Sequence, residues 1–193
     1  MTNLKKKIII GTWSLTDTFG KINKKNIEEV INYSIQNDFK EFDTAPNYGS
    51  GQIEKILSEF KKKSLFKLKI NTKFGNSRDN IKSFKKKDII KSLDKSIELF
   101  NNINTIYIHN PRCSPKQIEK IIDIILEYKE KKYIKNIGIS IARDFYFEKS
   151  ILDKFDFIQD EVNVLFYKNL NYLKKTKARI IARSPLASGC LSG

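Results

Sequence analysis

Four side chains of this sequence have the types and spacing to move a proton onto a carbonyl oxygen. Asp43 closes one short β-rich run, Tyr48 follows within Asn47-Tyr48-Gly49, Lys73 ends the next run, and His109, the only histidine, ends the one after that. A buried Lys73 ammonium needs a counter-charge, and Asp43 is of the right type to supply it. Such a pair beside the Tyr48 hydroxyl would favour the phenolate form and let the tyrosine exchange a proton. His109 would hydrogen-bond the same substrate oxygen and orient it. Taken singly, each residue has an ordinary structural reading: a hydrogen-bonded strand-end histidine, a solvated or paired lysine or aspartate, a tyrosine packed beside a loop. Their succession on consecutive strand ends makes chemistry the better reading of the set. The set includes no activated serine or thiol and no metal-ligand spacing, so it suits proton donation while hydride comes from another source.

The elements that position these residues alternate. Short β-rich runs occupy residues 7–12, 41–44, 68–74, 105–109, 136–141, 157–163 and 179–183, and most are apolar without strict alternation, as strands covered on both faces should be. Between them lie segments with helical spacing, such as Ile27, Val30, Ile31 and Ser34-Ile35, and Ile89-Ile90, Leu93, Ile97 and Phe100. Ser114-Pro115-Lys116-Gln117 offers a serine N-cap, proline at the first helical position and glutamine closing a capping box. Ile118, Ile121, Ile122, Ile125 and Leu126 follow as the buried stripe of that helix, and shorter helical segments are expected at 145–152 and 167–175. Strand-helix repetition without a linker or a shift in composition reads as one parallel α/β domain over residues 1–193.

Periodicity alone leaves a (β/α)8 barrel and a doubly wound sheet equally open. The polar residues decide between them. No GxGxxG follows the first run, which counts against a Rossmann fold. Instead Trp13, Asp43, Lys73, His109, Ser140, Gln159 with Asn163, and Arg183 with Ser184 stand at the C-terminal ends of several different strands, which is where a barrel builds its active site.

Charge limits the remaining readings. Lys and Arg total 37 against 22 Asp and Glu, giving +15 with 40% hydrophobic residues, which suits a folded chain rather than a disordered polyelectrolyte. Only five of the basic residues are arginines, and the lysine runs at 5–7, 61–63 and 85–87 alternate with apolar segments. Nucleic-acid binding is therefore the weakest reading, because recognition of bases favours arginine and a basic face concentrated on one element. No apolar stretch approaches the ~18 residues of a membrane span, the N-terminus lacks a signal-peptide pattern, and Cys113 and Cys190 read as free thiols. The expected location is the cytoplasm.

Several motifs carry a family resemblance. Phe42-Asp43-Thr44-Ala45-Pro46-Asn47-Tyr48-Gly49 with Gly51-Gln52-Ile53-Glu54, then Thr72-Lys73, Ile108-His109-Asn110-Pro111, Ile137-Gly138-Ile139-Ser140 and the run from Ala182 to Gly193 resemble the aldo-keto reductase family, in family order. Gly11-Thr12-Trp13 and Phe157-Ile158-Gln159 with Glu161 and Asn163 resemble it as well. The resemblance implies an NAD(P)H-dependent carbonyl reductase on a (β/α)8 barrel, with NADPH or NADH undecided. Tyr48 would be the general acid, Asp43 and Lys73 would tune it, and His109 would orient the carbonyl. On the cofactor side the resemblance sets Thr12, Trp13 and Asp43, with Ser140 and Gln159 on the nicotinamide carboxamide, Arg183 stacked on the ring, and Ser184 and Leu186 near the pyrophosphate. Trp13, Tyr48 and His109 would line the substrate pocket, core packing of Trp13 being the alternative.

Two departures from the family pattern stand out. Ile141 follows Ser140 where many relatives carry Asn, removing one hydrogen bond of about 1 kcal/mol. The 193 residues also reach only the seventh strand, whereas a whole barrel takes about 250 residues. The expectation is therefore an incomplete (β/α)8 barrel whose open edges favour self-association. The alternative is a catalytically weak or inactive relative, or a truncated product, used for binding or assembly.

Overall fold

A computed structural model describes residues 5, 7–143 and 145–192. Lys6 of the first lysine run and Gly193, the last residue of the final motif, lie outside the described residues. The chain divides into two compact units, Met1–Thr105 and Ile106–Gly193, and within each unit the strands lie in the sheet in their order along the chain.

In the first unit, strands β1 (Ile10–Gly11), β2 (Glu41–Asp43) and β3 (Lys69–Phe74) run parallel, with Ile10 opposite Phe42, and Phe42 opposite Ile70. β1 is shorter than the expected 7–12, consistent with a neighbour on one side only and a lysine run at its start. Backbone bonds nevertheless continue past the strand ends where the candidate residues sit: Thr12 N–H donates to the Asp43 carbonyl at 3.0 Å and Thr44 N–H to the Asn71 carbonyl at 2.9 Å. Helix α1 (Lys24–Gln36) starts where the Asn23 side chain accepts from the Asn26 N–H at 2.9 Å, and it buries Ile27, Ile31, Ser34 and Ile35. Val30 lies off this stripe and is exposed, so the sheet-facing arc is narrower than the spacing suggested. Helix α2 (Gln52–Lys63) ends in Lys61, Lys62 and Lys63, favourably placed at the negative end of the helix dipole. Lys61 also donates to the carbonyls of Phe100 (2.8 Å) and Asn102 (2.6 Å), fastening the C-terminus of α3 (Lys86–Phe100). Leu15, Ile27, Ile31, Phe42, Ile53, Leu57, Ile70 and Phe100 belong to one buried cluster that joins these helices to the sheet.

Strand β4 (Ile103–His109) crosses the boundary between the units. In the second unit α4 (Pro115–Glu130) begins as expected, with the Ser114 side chain accepting from the Gln117 N–H. It buries Ile124, leaving Leu126 exposed. Strands β5 (Ile134–Ser140), β6 (Phe157–Glu161) and β7 (Arg179–Arg183) are parallel, with Ser140 opposite Gln159 and Gln159 opposite Ile181. Gly138 is required in β5, because a Cβ there would stand 2.5 Å from the Tyr107 ring carbons and 3.1 Å from the Phe157 carbonyl oxygen. Helices α5 (Lys149–Leu152) and α6 (Leu170–Leu173) have four residues each, far less than the expected segments. The segment before α6 is irregular and leaves Val164, Leu165 and Tyr167 exposed. Cys113 is buried, Cys190 exposed, and neither is in a disulfide. Among the described residues no helix is long and apolar enough to cross a membrane.

Candidate active site

Alternation in β3 turns Lys73 to the opposite face from Thr72, and both are buried. Lys73 is 1% exposed, and its Nζ donates to Asp43 Oδ1 at the end of β2 and to the Thr44 carbonyl oxygen at 2.8 Å. The same ammonium stands 5.1 Å from the centre of the Tyr48 ring. Burial by itself would pull the Lys73 pKa down, but the charges of Asp43 and Tyr48 and hydrogen bonds to both override it, and the result lies above the ordinary lysine value of 10.5. The lysine is therefore held as a cation in a site closed to solvent.

Tyr48 opens a tight 3-10 turn, Tyr48–Gly51, with its N–H donating to the Ala45 carbonyl at 3.0 Å. Its ring is half-buried against the apolar cluster of the first unit. Thr12 is fully buried and donates its hydroxyl to the Asp43 carbonyl oxygen at 2.9 Å, which fixes the backbone of the acid rather than its carboxylate. Trp13 is 45% exposed and makes an edge-on contact with Phe19, ring centres 5.2 Å apart, so it is not a core residue. The first unit thus brings Asp43, Tyr48 and Lys73 together, with Thr12 behind Asp43.

The second unit brings together another group. His109 is buried at the end of β4, and the Asn110 N–H next to it donates to the Ser140 carbonyl at 2.8 Å. The Ser140 hydroxyl donates to Gln159 Oε1 at 2.9 Å, both side chains being buried. The Ile141 N–H donates to the Gln159 carbonyl (2.9 Å), and the Ile141 carbonyl accepts from Arg183 Nη2 at 3.1 Å. Arg183 Nε is buried and without a hydrogen-bond partner. Ser184 has φ +51°, its carbonyl accepts from Asn163 Nδ2 at 3.0 Å, and Leu186 is exposed just before the Ala187–Gly189 turn.

Two buried acids were not singled out as site residues from sequence. Glu54, on α2, accepts from Thr72 Oγ1 at 2.8 Å and stands 4.0 Å from Arg78 Nη2. Burial raises its pKa above the ordinary 4.5, against the opposing influence of Thr72, Arg78, Lys73 and Lys95. The available signal was an acid among the apolar positions Ile53, Ile56 and Leu57 of one helix face. Asp160 on β6 accepts from its neighbour's N–H (Glu161, 2.8 Å) and from Asn169 Nδ2 (3.3 Å), and burial raises its pKa as well.

No curated protein sequence matches this chain significantly. Solved structures do. A glycerol dehydrogenase of Gluconobacter oxydans superposes with a TM-score of 0.78 at 20% identity over 95% of this chain and 61% of its own. The holo form of an aldo-keto reductase from Bacillus halodurans gives 0.80 at 18%, over 95% and 63%. An aldo/keto reductase from Klebsiella pneumoniae, in complex with NADP and acetate, gives 0.74 at 14%, over 95% and 66%. The chain thus spans under two thirds of the length of these relatives, and its fold is an incomplete (β/α)8 barrel of seven parallel strands. The Aldo/keto reductase family matches residues 7–193. A match along nearly the whole sequence makes the chain a member of the aldo/keto reductase family.

Proposed function

We propose that this chain reduces an aldehyde or ketone to the alcohol with NADPH or NADH, Tyr48 donating the proton. The observation that carries this reading is the buried Lys73 ammonium, bonded to Asp43 and set against the Tyr48 ring. A bound nicotinamide supplies the hydride. Tyr48 Oη gives its proton to the carbonyl oxygen, so that hydride and proton together make the alcohol. The negative charge left on the tyrosine faces Lys73, whose attraction for it is strengthened by exclusion of water. Asp43 and the Thr44 carbonyl keep Lys73 protonated throughout and hold it in place. Trp13 and Tyr48 are the first unit's candidates for contact with the substrate, and His109, buried at the end of β4, is the second unit's candidate for orienting its oxygen.

The cofactor's residues on this reading are Thr12, Trp13 and Asp43 in the first unit and Ser140, Gln159, Arg183, Ser184 and Leu186 in the second. Their chemistry fits. Hydroxyl and amide groups at Ser140 and Gln159 offer the donors and acceptors that complement a carboxamide, and Arg183, bonded through Nη2 to the Ile141 carbonyl, adds a buried, orphaned Nε donor. The Klebsiella relative binds NADP, which supports the choice of a nicotinamide. The reaction belongs to the cytoplasm on this reading, in keeping with two cysteines outside any disulfide.

The test is oxidation of reduced nicotinamide by a panel of aldehydes. Tyr48→Phe keeps the ring and its packing but lacks the proton donor, so turnover should fall by about a hundredfold or more while cofactor affinity stays within about twofold. Undiminished turnover in Tyr48→Phe would remove the tyrosine from the mechanism. Cofactor binding without turnover by the unaltered chain would favour an inactive relative instead.

A further inference from the structure

The residues that follow Tyr48 hold an unfavourable backbone. Gly49, Ser50 and Gly51 have φ of +54°, +51° and +86°, three left-handed residues in succession, one of them carrying a side chain. Each non-glycine residue in that region costs of order 1 kcal/mol or more and persists only when its surroundings over-determine it. What lies against this turn is Arg78. A Cβ on Gly51 would sit 2.8 Å from Arg78 Cδ and 2.9 Å from Cζ, so the guanidinium rests on the bare glycine. Arg78 Nε is buried and unbonded, which leaves packing on Gly51 and the charge of Glu54, 4.0 Å from Nη2, to hold the group. Glu54 in turn is 1% exposed and tied through Thr72 to β3, one residue before Lys73.

We propose that Glu54 is a positioning residue, which through Arg78 and Thr72 clamps the left-handed Tyr48–Gly51 turn to the strand that carries Lys73, and so sets the tyrosine against the ammonium. The clamp rests on the reading of Tyr48 as proton donor for its functional meaning, although its geometry does not. A buried carboxylate beside a guanidinium is a weak source of net stability and a better source of defined geometry. Loss of the charge should therefore loosen the turn without unfolding the chain. Gln at position 54 keeps an oxygen for the Thr72 hydroxyl but turns an amide toward Arg78, which isolates the charge from the hydrogen bond.

The experiment is hydrogen exchange on the full chain, comparing Glu54→Gln, Arg78→Met and the double variant with the parent. The clamp predicts exchange about tenfold faster at residues 48–52 in each single variant, and in Glu54→Gln the rest of β3 and α2 unchanged with the global unfolding midpoint no lower; Arg78→Met, which leaves Glu54 buried without its guanidinium, should melt lower. The double variant should be no worse than Arg78→Met alone, since the two act in series. In turnover with NADPH, kcat should fall about tenfold with cofactor affinity unchanged. Exchange at 48–52 within about twofold of the parent, or acceleration spread evenly over α2 and β3, would overturn the clamp. If the parent lacks turnover altogether the proposed reaction fails, and the exchange data still decide the clamp.

Discussion

Asp43→Asn is the substitution whose cost the structure states most directly. The change is isosteric and keeps an oxygen toward Lys73 Nζ, so what it removes is the negative charge from beside an ammonium that is 1% exposed. Taking one partner from a buried ion pair costs about 3–5 kcal/mol, because the remaining charge is left uncompensated. Here the Thr44 carbonyl and the new amide oxygen still accept from Lys73, which sets the loss near the lower bound, about 3 kcal/mol. For a chain of this length each kcal/mol moves Tm by about 2–4 °C, so the variant should melt roughly 6–12 °C lower. The pH dependence follows from the raised Lys73 pKa. A cation whose folded pKa lies above the unfolded 10.5 contributes stability in full below that value and loses it as pH rises through the folded value. Asp43 is the largest raising influence, so Asp43→Asn should shrink this alkaline loss, and the stability gap between parent and variant should narrow as pH rises past 10.5. Circular-dichroism melts at neutral and alkaline pH measure both effects. Asp43→Asn combined with Lys73→Met should recover part of the loss, since no buried charge is then unpaired. Stability within about 0.5 kcal/mol of the parent at neutral pH, or strict additivity in the double variant, would refute the reasoning.

Three other outcomes are expected. Gly138→Ala brings a methyl against the Tyr107 ring and the Phe157 carbonyl and should cost about 1–3 kcal/mol, read from the urea midpoint. For Glu54, whose folded pKa is raised above 4.5, the contribution to stability is complete below that value and is lost as pH rises through the folded pKa. Glu54→Gln lacks that loss, so its stability relative to the parent should improve as pH rises above 4.5, followed by urea unfolding at each pH. We also propose self-association through open sheet edges: β7 has Arg179 and Ala182 exposed, and Val164 and Leu165 stand exposed in the loop after β6. Salt at 0.1 M screens the +15 charge beyond about 10 Å, so the sedimentation coefficient should rise with ionic strength; a monomer at every salt concentration argues for covered edges.

The legible parts of this fold are those in which one local rule acts without competition. Ser114-Pro115-Lys116-Gln117 announces α4 because a serine oxygen, a residue lacking N–H and an amide three residues on solve the same helix-end problem. Lys73 and Asp43 are legible because a buried ammonium demands a counter-charge. Val30, Leu126 and Ile124 were not, since spacing fixes which residues share a helix face but not the angle at which that face meets the sheet. The helices α5 and α6 fall inside the expected segments but are shorter: scattered apolar residues at 145–152 and 167–175 satisfy a helical period that too few backbone bonds enforce. Glu54 is the instructive case. Its carboxylate sits among isoleucines in the sequence, and only the approach of Thr72 and Arg78 from β3 and the loop after it gives the charge a purpose.

The most direct test of the central claim follows the hydride itself. Incubation of the chain with an aldehyde and NADPH carrying deuterium at both C4 positions, with mass spectrometry of the product, asks whether the carbinol carbon receives label. The account predicts one deuterium at that carbon with the unaltered protein and almost none with Tyr48→Phe. Alcohol formed without label, or labelled equally well by Tyr48→Phe, would contradict it.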